Sequence, residues 1–254
     1  MIYDCFLFFN ELDLLEIRLN ELDEIVDYFV IIEGQNTFQN KLKPLYYSEN
    51  KDRYAKFSHK IINIILTKDE LSSNNPWDNE RTSFNACLNI PNLKDDDIII
   101  LSSLDEIPKS SVLKQAVNHT PCHIKMDFCY FYLNTKFFQG SSDKWDASII
   151  YTVKQLRNAD RDVRDLFEKK TTNIFEGGWH FSFLGDAKLA VEKVNSYSHM
   201  EYNNLDEKFY QDKINNLIDP FNRTEFSKFS SFLEIKDLPI YIQDNIKKFE
   251  KYIR

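Results

Sequence analysis

Short β-prone apolar runs, separated by stretches of helical periodicity, constrain the fold more than any other feature of the chain. Ile2 to Phe9 is nearly unbroken in its apolar character, Tyr28 to Ile32 and Ile61 to Leu66 follow, and Ile98 to Leu101 is the most β-branched run. Unbroken runs of this length read as strands buried on both faces. Between the first two lie Leu12, Leu15, Leu19 and Leu22, three or four apart, with Glu11, Glu16, Arg18 and Glu21 expected to face water. Asn75 to Leu93 carries a second helix, with Pro76 near its start, where a missing N–H is harmless. Strand and helix in alternation predict an α/β fold with a mostly parallel central sheet flanked by helices. Ligands on such sheets bind beyond the carboxyl ends of the strands. Here those ends carry Asn10 and Glu11, Glu33, and Ser103 with Asp105.

Beyond Pro108 the pattern loosens. Ile124 to Leu133 and Ser148 to Val153 read as longer, mixed strands, Lys154 to Lys169 as irregular or helical, and Asp186 to Ser196 as an amphipathic helix with Ala187, Leu189, Ala190 and Val194 inward. With 254 residues and no linker rich in Pro, Gly or Ser, one domain is expected, residues 1–205, with a helical extension over 206–254 packed on it.

The formal charge of −8 argues against a nucleic-acid or membrane-surface binder. The four cysteines form no CxxC pair and read as buried free thiols. The first apolar run is cut by Asn10 and Glu11, too soon for a signal core or a membrane span, so the chain reads as cytoplasmic. Only five glycines are present, and no Gly-rich phosphate loop.

Chemistry concentrates in Asp95 to Pro108, where a buried strand ends in Ser102-Ser103-Leu104-Asp105-Glu106-Ile107-Pro108. Carboxylates there can hold a divalent cation that neutralises a diphosphate; an acidic turn after a strand is the plainer alternative. Gly177-Gly178-Trp179-His180 is a second concentration, where paired glycines permit close approach to a ligand. Trp179 can stack on a sugar and His180 can ligate a metal or contact phosphate, or both can be core residues.

Asp4-Cys5-Phe6 through Phe9-Asn10-Glu11-Leu12-Asp13-Leu14-Leu15-Glu16-Ile17-Arg18 resembles the opening of glycosyltransferase family 17. The resemblance continues, in order, through Val30-Ile31-Ile32-Glu33, Thr37-Phe38, Lys43-Pro44-Leu45, Trp77 with Glu80-Arg81, and Ser102 to Pro108. It closes with Gly177 to Ser182, His199 and Glu201. It implies a GT-A-type fold, a UDP-sugar donor (UDP-N-acetylglucosamine by family), a glycan acceptor and inversion at the anomeric carbon. A different UDP-hexose, or a carbohydrate-binding protein without turnover, are the alternatives. The family pattern Asp-x-Asp-Glu-Ile-Pro has Ser103 at its first position here, so one metal-binding carboxylate of the expected Mn2+ site is missing.

By the same resemblance Asn10, Glu11 and Glu33 fall where uracil and ribose would sit, though Glu11 and Glu33 can equally be carboxylates at helix or strand ends. Ser103 and Asp105 are donor-binding, and Asp105 with His180 would hold the metal. Arg81 is the cationic candidate for the diphosphate. Trp145 and Trp179 are candidates for an acceptor platform, with a core Trp the other reading of Trp145. For the general base, Glu201 beside His199 is preferred over Asp186, which an N-cap role explains.

Overall fold

The computed structural model of the chain describes residues 1–139, 144–168, 171–223 and 227–254, without the side chains of 139 and 144–147. The four apolar runs form β1 (Ile2–Phe8), β2 (Tyr28–Gly34), β3 (Ile61–Leu66) and β4 (Ile98–Ser103). They are followed by β5 (Glu106–Pro108), β6 (Cys122–Tyr130), β7 (Thr135–Gln139) and β8 (Lys144–Thr152), then β9 (Thr172–Ile174), β10 (Gly178–Ser182) and β11 (Ser227–Phe232). Helices α1 (Leu12–Leu22), α2 (Tyr46–Asn50), α3 (Pro76–Asn85), α4 (Ser110–Ala116) and α5 (Val153–Arg157) flank the first part. The rest are α6 (Ala187–Val194), α7 (Glu207–Asn216), α8 (Ile240–Asp244) and α9 (Ile246–Phe249).

The strands join one sheet in the order β11-β7-β6-β8-β4-β1-β2-β3, with β10 and β9 on β6 and β5 on β10. The expectation of a mostly parallel sheet needs correction. β1, β2, β3 and β4 run parallel, but β8 is antiparallel to β4 and to β6, and β7 is antiparallel to β6 and β11. The reason is local: the four residues between β6 and β7 are too few for a crossover helix, so the chain must reverse.

Side chains alternate across the parallel strands. Phe6, Phe29, Ile31 and Ile100 face the leucines of α1 in one core, while Cys5, Val30, Ile32 and Leu101 face Phe84 of α3 and Leu156 of α5 in another. A third cluster joins Phe128, Tyr130 and Phe137 to α6 and α7. All four cysteines are buried free thiols, as composition suggested. Leu189, expected to face inward, is 40% exposed, because α6 turns Ala187, Ala190 and Val194 to the core instead. The segment 206–254 is not wholly helical: it adds β11 to the edge of the sheet beside β7. Among the described residues no helix is long and apolar enough to cross a membrane.

Arg18 departs most from expectation. Placed on the water face by its charge, it is fully buried. Spacing explains the burial: Arg18 stands four residues after Leu14, three after Leu15 and four before Leu22, on the inner face of α1. Its guanidinium is bidentate to Asp4 of β1, at 2.6 and 2.8 Å.

Candidate active site

From β1 the chain passes to β2 and β3 on one side, and β4 returns on the other side of β1. Connections therefore leave β1 and β4 in opposite directions, which opens a crevice beyond their carboxyl ends. A cavity of about 480 Å3 lies there, lined by Phe9 and Glu11 after β1 and by Ser103, Leu104 and Asp105 after β4. Its volume falls within the range of about 300–1,000 Å3 usual for small-molecule sites. Phe38, Trp77, Phe128, Tyr130 and Tyr197 give it aromatic walls.

The turn bearing Asp105 is held from below. Arg18 Nη1 donates to the carbonyls of Ser103, Leu104 and Glu106 at 2.9, 3.2 and 2.8 Å, and Nη2 donates to Ser102 Oγ at 2.7 Å. The Glu106 carboxylate accepts from Ser103 N at 2.8 Å, and the Phe181 amide donates to the Asp105 carbonyl at 2.8 Å. Asp105 itself is only 4% exposed.

Lys193 of α6 comes down on this turn. Its ammonium lies 2.6 Å from Asp105 Oδ2 and 3.1 Å from Glu11 Oε1, while His180 Nε2 lies 3.6 Å from the same Oδ2. Burial alone would raise the Asp105 carboxyl, but Lys193 and His180 outweigh it and hold the group well below the usual carboxylate range. The converse holds for Lys193: burial favours the neutral amine, yet Asp105 and Glu11 raise its pKa above that of an ordinary lysine. The contact is an ionised pair.

β10 supplies the opposite wall by alternation. His180 and Ser182 line the cavity, whereas Trp179 and Phe181 point the other way into the core, stacked with centroids 6.2 Å apart. Trp179 is therefore not placed to stack on a ligand in this cavity; its indole Nε1 donates to the Asp237 carbonyl at 2.9 Å. The glycine pair has a packing reason too: a Cβ on Gly178 would stand 2.2 Å from the Ile107 carbonyl oxygen, so β10 approaches β5 this closely only without one.

The other expected residues are dispersed. Asn10 lines a smaller cavity of about 240 Å3, which it shares with Glu11 and Lys193. Glu33 is buried away from the main cavity, where its carboxylate accepts from the Tyr47 amide at 2.8 Å and from Ser48 Oγ at 3.2 Å at the start of α2. Burial outweighs those bonds and raises its pKa. Arg81 points off the cavity to Asp165, Asp78 and Asp162, at 3.4, 3.6 and 3.9 Å. Asp186 caps α6, accepting from the Leu189 amide at 2.9 Å. Glu201 is exposed and pairs with His199 Nδ1 at 2.7 Å, and it is His199 that lines the cavity, edge-on to Trp77 at 4.7 Å. The side chain of Trp145 lies outside the described residues.

Among the described residues four cationic side chains line the cavity, Lys43, Arg164, Lys193 and Arg223; of these only Lys43 belongs to a block that resembles the family, Lys43-Pro44-Leu45, and the sequence assigns a role to none of them. Arg164 pairs with Glu80 at 2.7 Å, and Arg223 pairs with Asp219 at 2.8 Å while donating to Tyr130 Oη at 2.7 Å. Burial depresses the Lys43 amine despite the charges of Glu33 and Glu11 nearby. Arg164 and Arg223 sit in charge-rich stretches with no periodic signal.

A divalent cation is the cofactor implied by the acidic motif. Among the described residues no group of three or more His, Cys, Asp or Glu side chains is arranged to hold one. Within the motif Glu106 turns its carboxylate back to accept from Ser103 N, Ser103 offers a neutral oxygen, and Asp105 Oδ2 is taken by an ammonium at 2.6 Å. Hard cations of this class require several oxygen ligands, so the donor set does not fit.

Residues 1–222 match Glycosyltransferase family 17. A stretch of 107 residues is 30% identical to the human beta-1,4-mannosyl-glycoprotein 4-beta-N-acetylglucosaminyltransferase, covering 39% of this chain and 20% of that protein. The rat protein of the same name matches equally, so the matched stretch spans about a fifth of these curated relatives. Among solved structures, the chain is similar to a 4-diphosphocytidyl-2C-methyl-D-erythritol synthase with a TM-score of 0.42 and 12% identity, covering 69% of this chain and 88% of that one. With the family matched across the sheet, the acidic turn and the wall that faces it, this chain belongs to glycosyltransferase family 17 and is a transferase.

Proposed function

We propose that the chain is an inverting glycosyltransferase of GT-A type that moves N-acetylglucosamine from UDP-N-acetylglucosamine to a hydroxyl of a glycan acceptor. One observation carries the reading: an ionised Asp105, clamped from below, at the crevice beyond the carboxyl ends of the paired parallel strands β1 and β4, on the floor of a cavity walled by aromatic rings. Planar rings suit both a uracil base and the apolar face of a pyranose. The donor sugar follows the activity for which the human and rat relatives are named.

In an inverting transfer the acceptor oxygen bonds to the anomeric carbon as the carbon–diphosphate bond breaks. The electron pair leaves with UDP and the hydroxyl proton goes to a base. His199 and Glu201 form the best-placed pair for that proton, since His199 lines the cavity and Glu201 orients it through Nδ1. Cationic side chains on the wall stabilise the charge that develops on the diphosphate.

The test is UDP release by the purified chain from a panel of UDP-sugars, with and without glycan acceptors, and the anomeric configuration of the product read by NMR. Acceptor-dependent release from UDP-N-acetylglucosamine, giving a β-linked product from the α-linked donor, is expected. Retention of configuration, or acceptor-dependent release only from another UDP-hexose, would overturn the mechanism or the donor respectively. Asp105→Asn should then lower transfer by at least about a hundredfold, the scale of losing one preorganised electrostatic contact, with an unchanged melting temperature as the check on fold.

A further inference from the structure

Lys193 occupies the place where a sugar-nucleotide site built on carboxylates would need a cation. We infer that its ammonium, fixed between Asp105 and Glu11, is the built-in counter-charge for the diphosphate of a nucleotide, so that the nucleotide binds without a divalent metal. This rests on the nucleotide-sugar reading above and goes beyond it, in naming the group that meets the phosphates.

Geometry supports the assignment at three levels. An ammonium carries three protons. Two are directed at Asp105 Oδ2 and Glu11 Oε1, at 2.6 and 3.1 Å, which leaves one for an oxygen of the ligand. The side chain is 22% exposed and lines the main cavity and the smaller one beside it, so the charge is held but remains reachable. The helix beneath it is anchored: Asp186 caps α6, and Ala187, Ala190 and Val194 are buried in the third cluster. Lys193 thus projects from a rigid element, as a preorganised electrostatic contact requires.

Charge points the same way. Ser103 leaves the motif one carboxylate short, and the remaining donor set does not fit a metal. Lys193 meets both Asp105 and Glu11, and its ammonium reduces their combined charge from −2 to −1 before a phosphate arrives. Lysine binds phosphate as a compact point charge and needs no further ligands to do so.

Calorimetric titration of UDP and of uridine into the unaltered protein, in excess EDTA and again in manganese, tests the inference. UDP is expected to bind in EDTA with a Kd within about twofold of that in manganese. Lys193→Gln is expected to weaken UDP by about tenfold or more, in line with the loss of one charge-assisted contact, and to leave uridine unchanged, with Lys193→Arg keeping most of the affinity. UDP binding that requires manganese would overturn the inference and leave the glycosyltransferase reading standing, as would Lys193→Gln binding UDP like the unaltered protein. No binding of UDP in either condition would overturn the nucleotide-sugar reading, and this inference with it. The chelator comparison uses the unaltered chain, and decides the matter even where Lys193→Gln fails to fold.

Discussion

The guanidinium of Arg18 binds Asp4 on one edge and, on the other, Ser102 Oγ and the carbonyls of Ser103, Leu104 and Glu106. It makes the acidic turn part of the core. Arg18→Met would strand the Asp4 carboxylate in a fully buried site and should cost about 3–5 kcal/mol in urea unfolding, the range for breaking a buried pair. Pairing it with Asp4→Leu removes that charge and should restore most of the stability, while the three carbonyls remain without their donor. Arg18 is then a positioning residue if the double variant melts near the unaltered protein and yet transfers at least about tenfold more slowly with little change in UDP affinity. Transfer at the original rate would reduce Arg18 to a structural part. The clue is in the sequence, since position 18 falls on the leucine face, and its charge alone points the other way. Glu201 is the reverse case. Its place beside His199 was legible from their numbers alone, whereas the fact that His199, and not Glu201, meets the cavity depends on packing against Trp77. Glu201→Gln should therefore lower transfer by about a hundredfold with UDP affinity unchanged. Asp186→Asn, which keeps a cap on α6, should alter neither, and the paired assay separates the two carboxylates.

At the scale of elements, α1 has two working faces. Its buried side clamps the acidic turn; its exposed side holds residues 241–252. Asp13 accepts from Tyr252 Oη at 2.7 Å and pairs with Lys251 at 3.1 Å, and both it and Glu16 pair with Arg53. Tyr241 and Lys248 reach Glu16. Burial would raise the Asp13 carboxyl, but its hydrogen bonds from Arg53, Tyr252 and Lys251 outweigh that and lower it to about 2. A carboxyl depressed in the folded state adds stability that is fully present above its unfolded value, about 3.9, and is lost as pH falls through the folded value. Between pH 5 and 2 the melting temperature should therefore drop, with Asp13 contributing at most about 2 kcal/mol. Asp13→Asn should be less stable at neutral pH and should show a shallower fall; an identical slope would mean the pair contributes nothing. The strands were readable because a doubly buried strand has only one composition. In the antiparallel half β6 and β8 were readable as strands over Ile124 to Leu133 and Ser148 to Val153. The direction of pairing was not, nor were β7 and β11, because direction follows connection length and β11 pairs with a distant edge, neither of which leaves a periodic trace.

For the molecule as a whole, the open question is where the folding unit ends. The tail 206–254 can be read as an appendage on a self-sufficient catalytic domain over 1–205, and its sequence, short helices with a basic end, offers no objection. Its packing does. Leu238, Ile242 and Phe249 are buried in the same core as Leu15, Ile100 and Phe181, and Tyr210 and Ile214 sit with Tyr130 and Val194 beneath the helix that carries Lys193. At roughly 1.5–3 kcal/mol for each large apolar side chain withdrawn from water, these five together reach the whole net stability of an ordinary domain, about 5–15 kcal/mol. Removing them would also expose the β7 edge now covered by β11, an invitation to association between copies. A chain ending at residue 205 is thus expected to lack a cooperative thermal transition and near-ultraviolet dichroism, and to elute as aggregate, while the full chain melts in one step. Its loss of UDP binding would follow from the loss of support under α6 together with the loss of Phe221 and Arg223 from the cavity wall. A soluble 1–205 fragment that melts cooperatively within a few degrees of the full chain would show instead that the tail only decorates the fold. In that event the anchoring of Lys193 would have to come from Asp186, Ala187, Ala190 and Val194 without Tyr210 and Ile214.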